Sequence, residues 1–182
     1  MRQSKLQAGV TVVETTCVLA ILAIMAGIAG PSMHKWRQRA AADSLLAALT
    51  TDIALARIAA ISRGHTTVVC PSADASRCDG SADWSDGWIV FIDGNRDRAR
   101  QPAEELLSVA QMRQIPALTF ASTAGRRTVR LYPSGMGYGS NLTVTTCLDG
   151  ITHARLIMNN AGRVRVERPR DQFACPTTPA TP

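Results

Sequence analysis

Two patterns of apolar and polar positions divide the chain. The first is a block. Between positions 15 and 34, beginning TTCVLAILAIMAGIAG, no residue carries a full charge, and about 20 apolar residues suffice to cross a bilayer as a helix. The block runs on past Pro31 into a helical repeat. In AAADSLLAALTTDIALARIAAISRG, Leu45, Leu49, Ile53, Ala56 and Ala60 recur at steps of three and four. That spacing makes one apolar stripe, with Asp52, Arg57 and Arg63 off it. Gly64 stands where a helix would stop. Together these segments predict a helical stem of roughly 50 residues, of which the second half needs a cover.

The second pattern is short and alternating. Runs rich in β-branched and aromatic residues occupy 66–70, 88–93, 104–112, 118–121, 128–132, 142–147, 154–158 and 163–167. Asp-Gly pairs at 79–80, 93–94 and 149–150 and the glycine-rich 135–139 supply turns between them. The expected fold is α+β: a long N-terminal helix packed on antiparallel sheets. PTTPATP, from 176 to 182, reads as a disordered tail.

Composition changes the picture in two places. Aromatic residues make up only 4% of the 182 positions, so the core is modest and a covalent staple would help it. Cys17 lies in the apolar block. The other four cysteines, Cys70, Cys78, Cys147 and Cys175, are expected in an oxidising compartment as two disulfides. Three pairings are open, of which we expect Cys70–Cys78 and Cys147–Cys175. No C-x-x-C spacing supports a zinc site. Charge is the second. From 31 to 120 ten basic residues balance ten acidic ones, whereas from 121 to 182 eight arginines face Asp149, Glu167 and Asp171. A basic region of this kind points to an anionic partner.

Catalytic chemistry finds no support. His34, His65 and His153 have no nucleophile or carboxylate at a catalytic spacing, and no phosphate-binding loop or carboxylate pair is evident. Asp93, Asn95, Asp97 and Glu104 fall on the first, third, fifth and twelfth positions of a calcium-loop pattern. Arg98 sits where that loop needs glycine and more arginines surround it, so a hairpin loop is expected. We expect no enzyme, no cofactor and no metal. Trp84 and Trp88 are the expected anchors of the sheets, and Trp36 is expected near a membrane interface.

The N-terminus is informative in detail. Arg2 and Lys5 precede the apolar block and predict a cytoplasmic N-terminus. Glu14 lies inside the block, where a carboxylate is costly and calls for a partner. A short basic leader, Gly9, and a glutamate fifth after it resemble the class III signal of type IV pilins and pseudopilins. The resemblance implies that a prepilin peptidase cuts after Gly9 and frees Val10, where phenylalanine is usual. It further implies that the helix is retained and that Glu14 pairs with the N-terminal amine of a neighbouring pilin. Pro31 stands at the depth of the family's helix-loosening proline.

The rest of the chain narrows the resemblance. ALARIAAISRGHTTVVCPS, WSDGWIVFID, LYPSGMGYG and a cysteine-bearing strand followed by GRVR resemble the FimT/GspH group of minor pilins and pseudopilins, from Gly9 to about Arg170. The implied organisation is a leader over 1–9, a transmembrane helix half over 10–30, a stem over 31–64 and a β-rich domain over 65–175. The implied location is the inner membrane, single-pass, with a periplasmic domain carried into a surface pilus. GspH members work at the tip of the type II secretion pseudopilus. FimT members belong to type IV pili, and some take up DNA in natural transformation through a Gly-Arg-x-Arg motif. That motif falls here on Gly162, Arg163 and Arg165.

Strand geometry suits the role. Arg163 and Arg165 would share one face about 6.6 Å apart, with Val164 and Val166 turned to a core. Arg168 and Arg170 would extend the stripe, and Arg126, Arg127, Arg130 and Arg155 would join it if the fold brings them near. No aromatic lies between Tyr138 and Phe173. The expected mode is therefore contact with the DNA backbone, salt-dependent and with little sequence preference, rather than base stacking. Three readings stay open: a DNA-binding pilus subunit, a secretion pseudopilin, and a structural minor pilin that primes assembly.

Overall fold

The computed structural model describes residues 11–123 and 125–176. The expected cleavage site, Gly9 and Val10, and nearly all of the expected tail lie outside the described residues. One long helix, α1 (Val12–Arg63), is followed by eight strands: β1 (Thr66–Pro71), β2 (Gly87–Asp93), β3 (Leu106–Gln111), β4 (Leu118–Ser122), β5 (Val129–Leu131), β6 (Leu142–Leu148), β7 (Ile151–Met158) and β8 (Val164–Glu167). Each falls on an expected run, with ends shifted by a few residues at most.

Both ends of α1 have local causes. The Thr11 hydroxyl accepts the Glu14 N–H at 3.3 Å and caps the first turn. At the other end Gly64 takes a φ of 67°, and its N–H reaches the Ala60 carbonyl at 3.1 Å. The described residues divide into two compact units between Arg37 and Gln38. In the first, Val18, Leu19, Ile21, Leu22, Ile24 and Met25 are all exposed. Exposed apolar residues of this density suit a lipid or protein surround, not water.

In the second unit the strands form two antiparallel four-stranded sheets, ordered β3-β2-β1-β5 and β4-β6-β7-β8. The C-terminal half of α1 belongs to both. Leu45, Leu46, Leu49, Ile53, Ala56 and Ala60 join Trp88, Val90 and Leu131 of the first sheet and Phe120, Val144, Leu156 and Met158 of the second, with Trp84 beside β4, in one buried cluster. Lys35–Arg63 is apolar enough by length and composition to cross a membrane, but its apolar stripe is spent on this core. A second, smaller cluster of Val68, Cys70, Ile89 and Phe91 fills the far face of the first sheet. The disulfides are Cys70–Cys78, which staples that cover, and Cys147–Cys175, which ties the C-terminal segment to β6.

The structure departs from the sequence pattern at the flanks of the stripe. Asp52 and Arg63 are not simply solvated. The Trp88 indole N–H donates to Asp52 Oδ2 at 2.7 Å, and Arg63 pairs with Glu105. The first sheet wraps farther around the helix than a single stripe suggests. In the 93–104 loop the carboxylates are turned on the loop itself. Glu104 accepts N–H groups of Gly94 and Gln101 at 2.9 and 3.0 Å, and Asp97 accepts that of Ala99 at 2.8 Å. Burial pushes the Asp93 carboxyl up, against backbone hydrogen bonds that lower it. Among the described residues no cluster of three or more metal-ligating side chains occurs.

Two stability outcomes follow from this packing. Asp52→Ala strands a buried indole N–H and should cost about 1–3 kcal/mol, read as a lowered urea midpoint at unchanged slope. Replacing Cys147 and Cys175 by serine should cost roughly 2–4 kcal/mol, with a matching fall in Tm.

Candidate nucleic-acid interface

The basic C-terminal stretch forms the β7–β8 hairpin, and β8 is an edge strand. Pairing sets Leu156 opposite Val166 and Met158 opposite Val164, on the core side, while Ile157 opposes Arg165 and Arg155 opposes Glu167. Arg163 falls one residue before the strand, but alternation still holds: Arg163 and Arg165 are exposed and the two valines are half-buried.

The turn that delivers Arg163 is built on its own backbone. Asn159 Oδ1 accepts the N–H groups of Ala161 and Arg163 at 3.1 and 3.0 Å, and Gly162 N–H reaches the Asn159 carbonyl at 2.9 Å. Gly162 has a φ of 71°. A Cβ there would lie 2.7 Å from the Gly135 carbonyl oxygen. Gly135 is also left-handed, and a Cβ on it would lie 2.9 Å from Ile61 and 3.3 Å from Arg57 Nε. Two glycine turns thus meet over the helix at Arg57 and Ile61, and a hydrogen bond from Gly137 N–H to the Asn160 carbonyl at 2.9 Å joins them. The motif glycine is required by this close approach as well as by its φ.

The arginines are not equivalent. Arg165 pairs with Glu167 at 2.7 Å, both exposed. Arg168 pairs with Asp43 of α1 at 2.9 Å, so its charge is committed to the stem. Arg163 and Arg170 make no ion pair with any described residue. Of the conditional set, Arg155 lies in β7 on the same face as Arg165, against Phe173 at 6.0 Å. Arg130 sits in the first sheet, over Tyr132 at 5.8 Å. Arg126 and Arg127 donate to the Gly139 and Gly80 carbonyls at 2.7 and 2.8 Å. Tyr132 and Tyr138 pair at 6.1 Å on the loop bonded to the hairpin turn. The fold therefore brings aromatics nearer to the arginines than sequence distance suggests.

Asp43 carries no signal in the sequence. His153 is the unpaired residue at a bulge in the β6–β7 ladder, and the bulge aims its Nε2 at Asp43 Oδ1, 3.2 Å away. Partial burial raises the Asp43 carboxyl pKa, but hydrogen bonds and charge from Arg168 and His153 outweigh it and hold it below its ordinary 3.8. Glu14 is exposed in the first turn of α1, with no ion-pair partner among the described residues.

The family described as Type II transport protein GspH matches residues 46–162. The chain belongs to the GspH family. Its match ends at the motif glycine, so the arginines beyond Gly162 stand on the geometry above. No curated protein sequence matches the chain. Among solved structures, the type IV minor pilin FimU of Pseudomonas aeruginosa is similar in two crystal forms. One has a TM-score of 0.57 at 18% identity, covering 76% of this chain and 96% of that one. The other has a TM-score of 0.51 at 16% identity, covering 72% and 96%. The minor pseudopilin EpsH of the Vibrio cholerae type 2 secretion system gives 0.49 at 13% identity, covering 71% and 98%. The FimU likeness is one of fold: a long N-terminal helix on antiparallel sheets. A GspH-family chain is a pilin or pseudopilin, a structural subunit that assembles with other pilins.

Two outcomes test the site's construction. Asp43 is depressed in the folded state, so its contribution is present above the unfolded value near 4 and is lost as pH falls through the folded value. Unfolding midpoints measured from pH 6 down to pH 2 should fall in that window, and the Asp43→Asn variant should show a shallower decline. Gly162→Ala should cost roughly 1–3 kcal/mol through strain at positive φ and the clash with Gly135, seen as a lower Tm.

Proposed function

We propose that this GspH-family subunit is a minor type IV pilin of the FimT kind, which binds DNA for uptake through the β7–β8 hairpin. In this reading a prepilin peptidase cuts after Gly9, Val10 becomes the N-terminus, and Glu14 pairs with the terminal amine of a neighbouring pilin. The protein is inserted in the inner membrane, and its folded domain is displayed outside. What supports the DNA assignment is one observation: the Gly162 turn holds Arg163 and Arg165 on the exposed face of an edge strand, and Arg163 has no carboxylate partner among the described residues.

The physics fits a phosphate backbone. Guanidinium forks bind phosphates in bidentate fashion. The Arg165–Glu167 pair is exposed, and such pairs are worth only about 0–1 kcal/mol, so a phosphate can replace the carboxylate. Arg170 adds a further charge with no ion-pair partner among the described residues. Arg168 acts chiefly by holding the segment after β8 to α1 through Asp43. A type II secretion pseudopilin is the second reading, favoured by the description of the matching family.

The test uses the full-length chain in a nonionic detergent and fluorescence anisotropy of a labelled duplex across a salt series. Wild type should bind with a steep salt dependence. Arg163→Ala/Arg165→Ala should lose most of that affinity and flatten the log–log slope by about 1.8, at about 0.9 per phosphate contact. If wild type fails to bind at low salt, or the double variant binds equally well, the DNA reading falls and the hairpin is better read as a subunit contact.

A further inference from the structure

Arg57 stands off the apolar stripe in the sequence pattern. In the structure it lies against the two glycine turns, and its Nε is buried without a hydrogen-bond partner among the described residues. A buried N–H left unpaired is costly, and native structures rarely leave one without a reason. Arg57 also lines a groove of about 390 Å³ between α1 and the start of β8, together with Thr50, Ile53, Ala54, Gly162, Arg163 and Val164. Two arginines, one from the helix and one from the hairpin, therefore border one groove.

Among the described residues no carboxylate lines it. The acidic residues nearest in sequence or across the strands are engaged elsewhere. Asp43 holds Arg168 and His153, Asp52 takes the Trp88 indole, and Glu167 takes Arg165. Arg57 makes no ion pair with any described residue. Two arginines thus give the groove positive charge, while Ile53, Ala54 and Val164 add apolar lining. An anionic phosphate beside a largely apolar sugar matches that combination.

We propose that Arg57 and Arg163 form a two-arginine clamp for a phosphodiester, so that a DNA strand crosses the junction of α1 and β8 instead of following β8 alone. This rests on the DNA reading above and extends it to a residue of the helix that the hairpin motif does not contain. Glycine at 135 and 162 acquires a second purpose: it lets the Arg57 side chain pass close under both turns into the groove.

The test again uses the full-length chain in nonionic detergent with labelled duplex DNA. Arg57→Met keeps the apolar stem against the glycine turns and removes the charge, and thermal melting shows whether the fold survives. Its affinity should fall roughly tenfold, the loss of one charged hydrogen-bonded contact, and the salt slope should flatten by about 0.9. Arg57→Lys should recover the slope but only part of the affinity. A second measurement needs no variant: the Arg57 Nε–H resonance of the wild-type chain should shift on duplex titration. If Arg163→Ala loses binding while Arg57→Met keeps both affinity and slope, the clamp is wrong and the hairpin reading stands. An unmoved Nε–H resonance at saturating duplex also overturns the clamp. If wild type does not bind at all, both readings fall together.

Discussion

Two four-stranded sheets turn their apolar faces on the same stretch of helix, and Leu45, Leu49, Ile53, Ala56 and Ala60 join them in one cluster. Each large aliphatic side chain buried there contributes roughly 1.5–3 kcal/mol. Without the helix, Trp84, Trp88 and Phe120, all fully buried, would lose their common partner. The domain's stability is therefore a property of the stem's second half. With so few aromatics in the chain, the two disulfides supplement this core by limiting the unfolded ensemble.

An apolar interface resists sliding poorly, because one methyl contact can replace another. Polar pairs at the flanks of α1 fix its place. Asp52 meets the Trp88 indole on the first sheet, Asp43 meets His153 and Arg168 on the second, and Arg63 meets Glu105 near the helix end. Each pair joins residues far apart in sequence, and each has a directional bond where the core has none. The groove at Arg57 and Arg163 depends on this placement, since its two walls belong to different elements.

How much could be read from the chain alone follows from the range of each interaction. The apolar stripe and the alternating runs are local, and they placed α1 and all eight strands. The disulfides are a short-loop closure and a C-terminal strap, both simple closures. The alternation Arg163, Val164, Arg165, Val166 told which side faces the core. What stayed hidden is non-local. Nothing near Asp43 announces Arg168, 125 residues away. The bulge that turns His153 inward depends on how β6 and β7 pair. Gly135 reads as one turn glycine among several, and only its meeting with Gly162 and Arg57 gives it a distinct role.

The place of β8 at the rim of the second sheet has a further consequence. An outermost strand offers unpaired N–H and carbonyl groups to any extended segment that comes near, and so invites unwanted strand addition. Here the strand is only four residues long, it carries charge at alternate positions, and Pro169 follows close behind without an N–H to offer. Pilins work packed beside other pilins, where open rims would meet often. The arginines of this hairpin thus act as a guard on the sheet's border, and neutralising them trades away protection against sticking as well as charge.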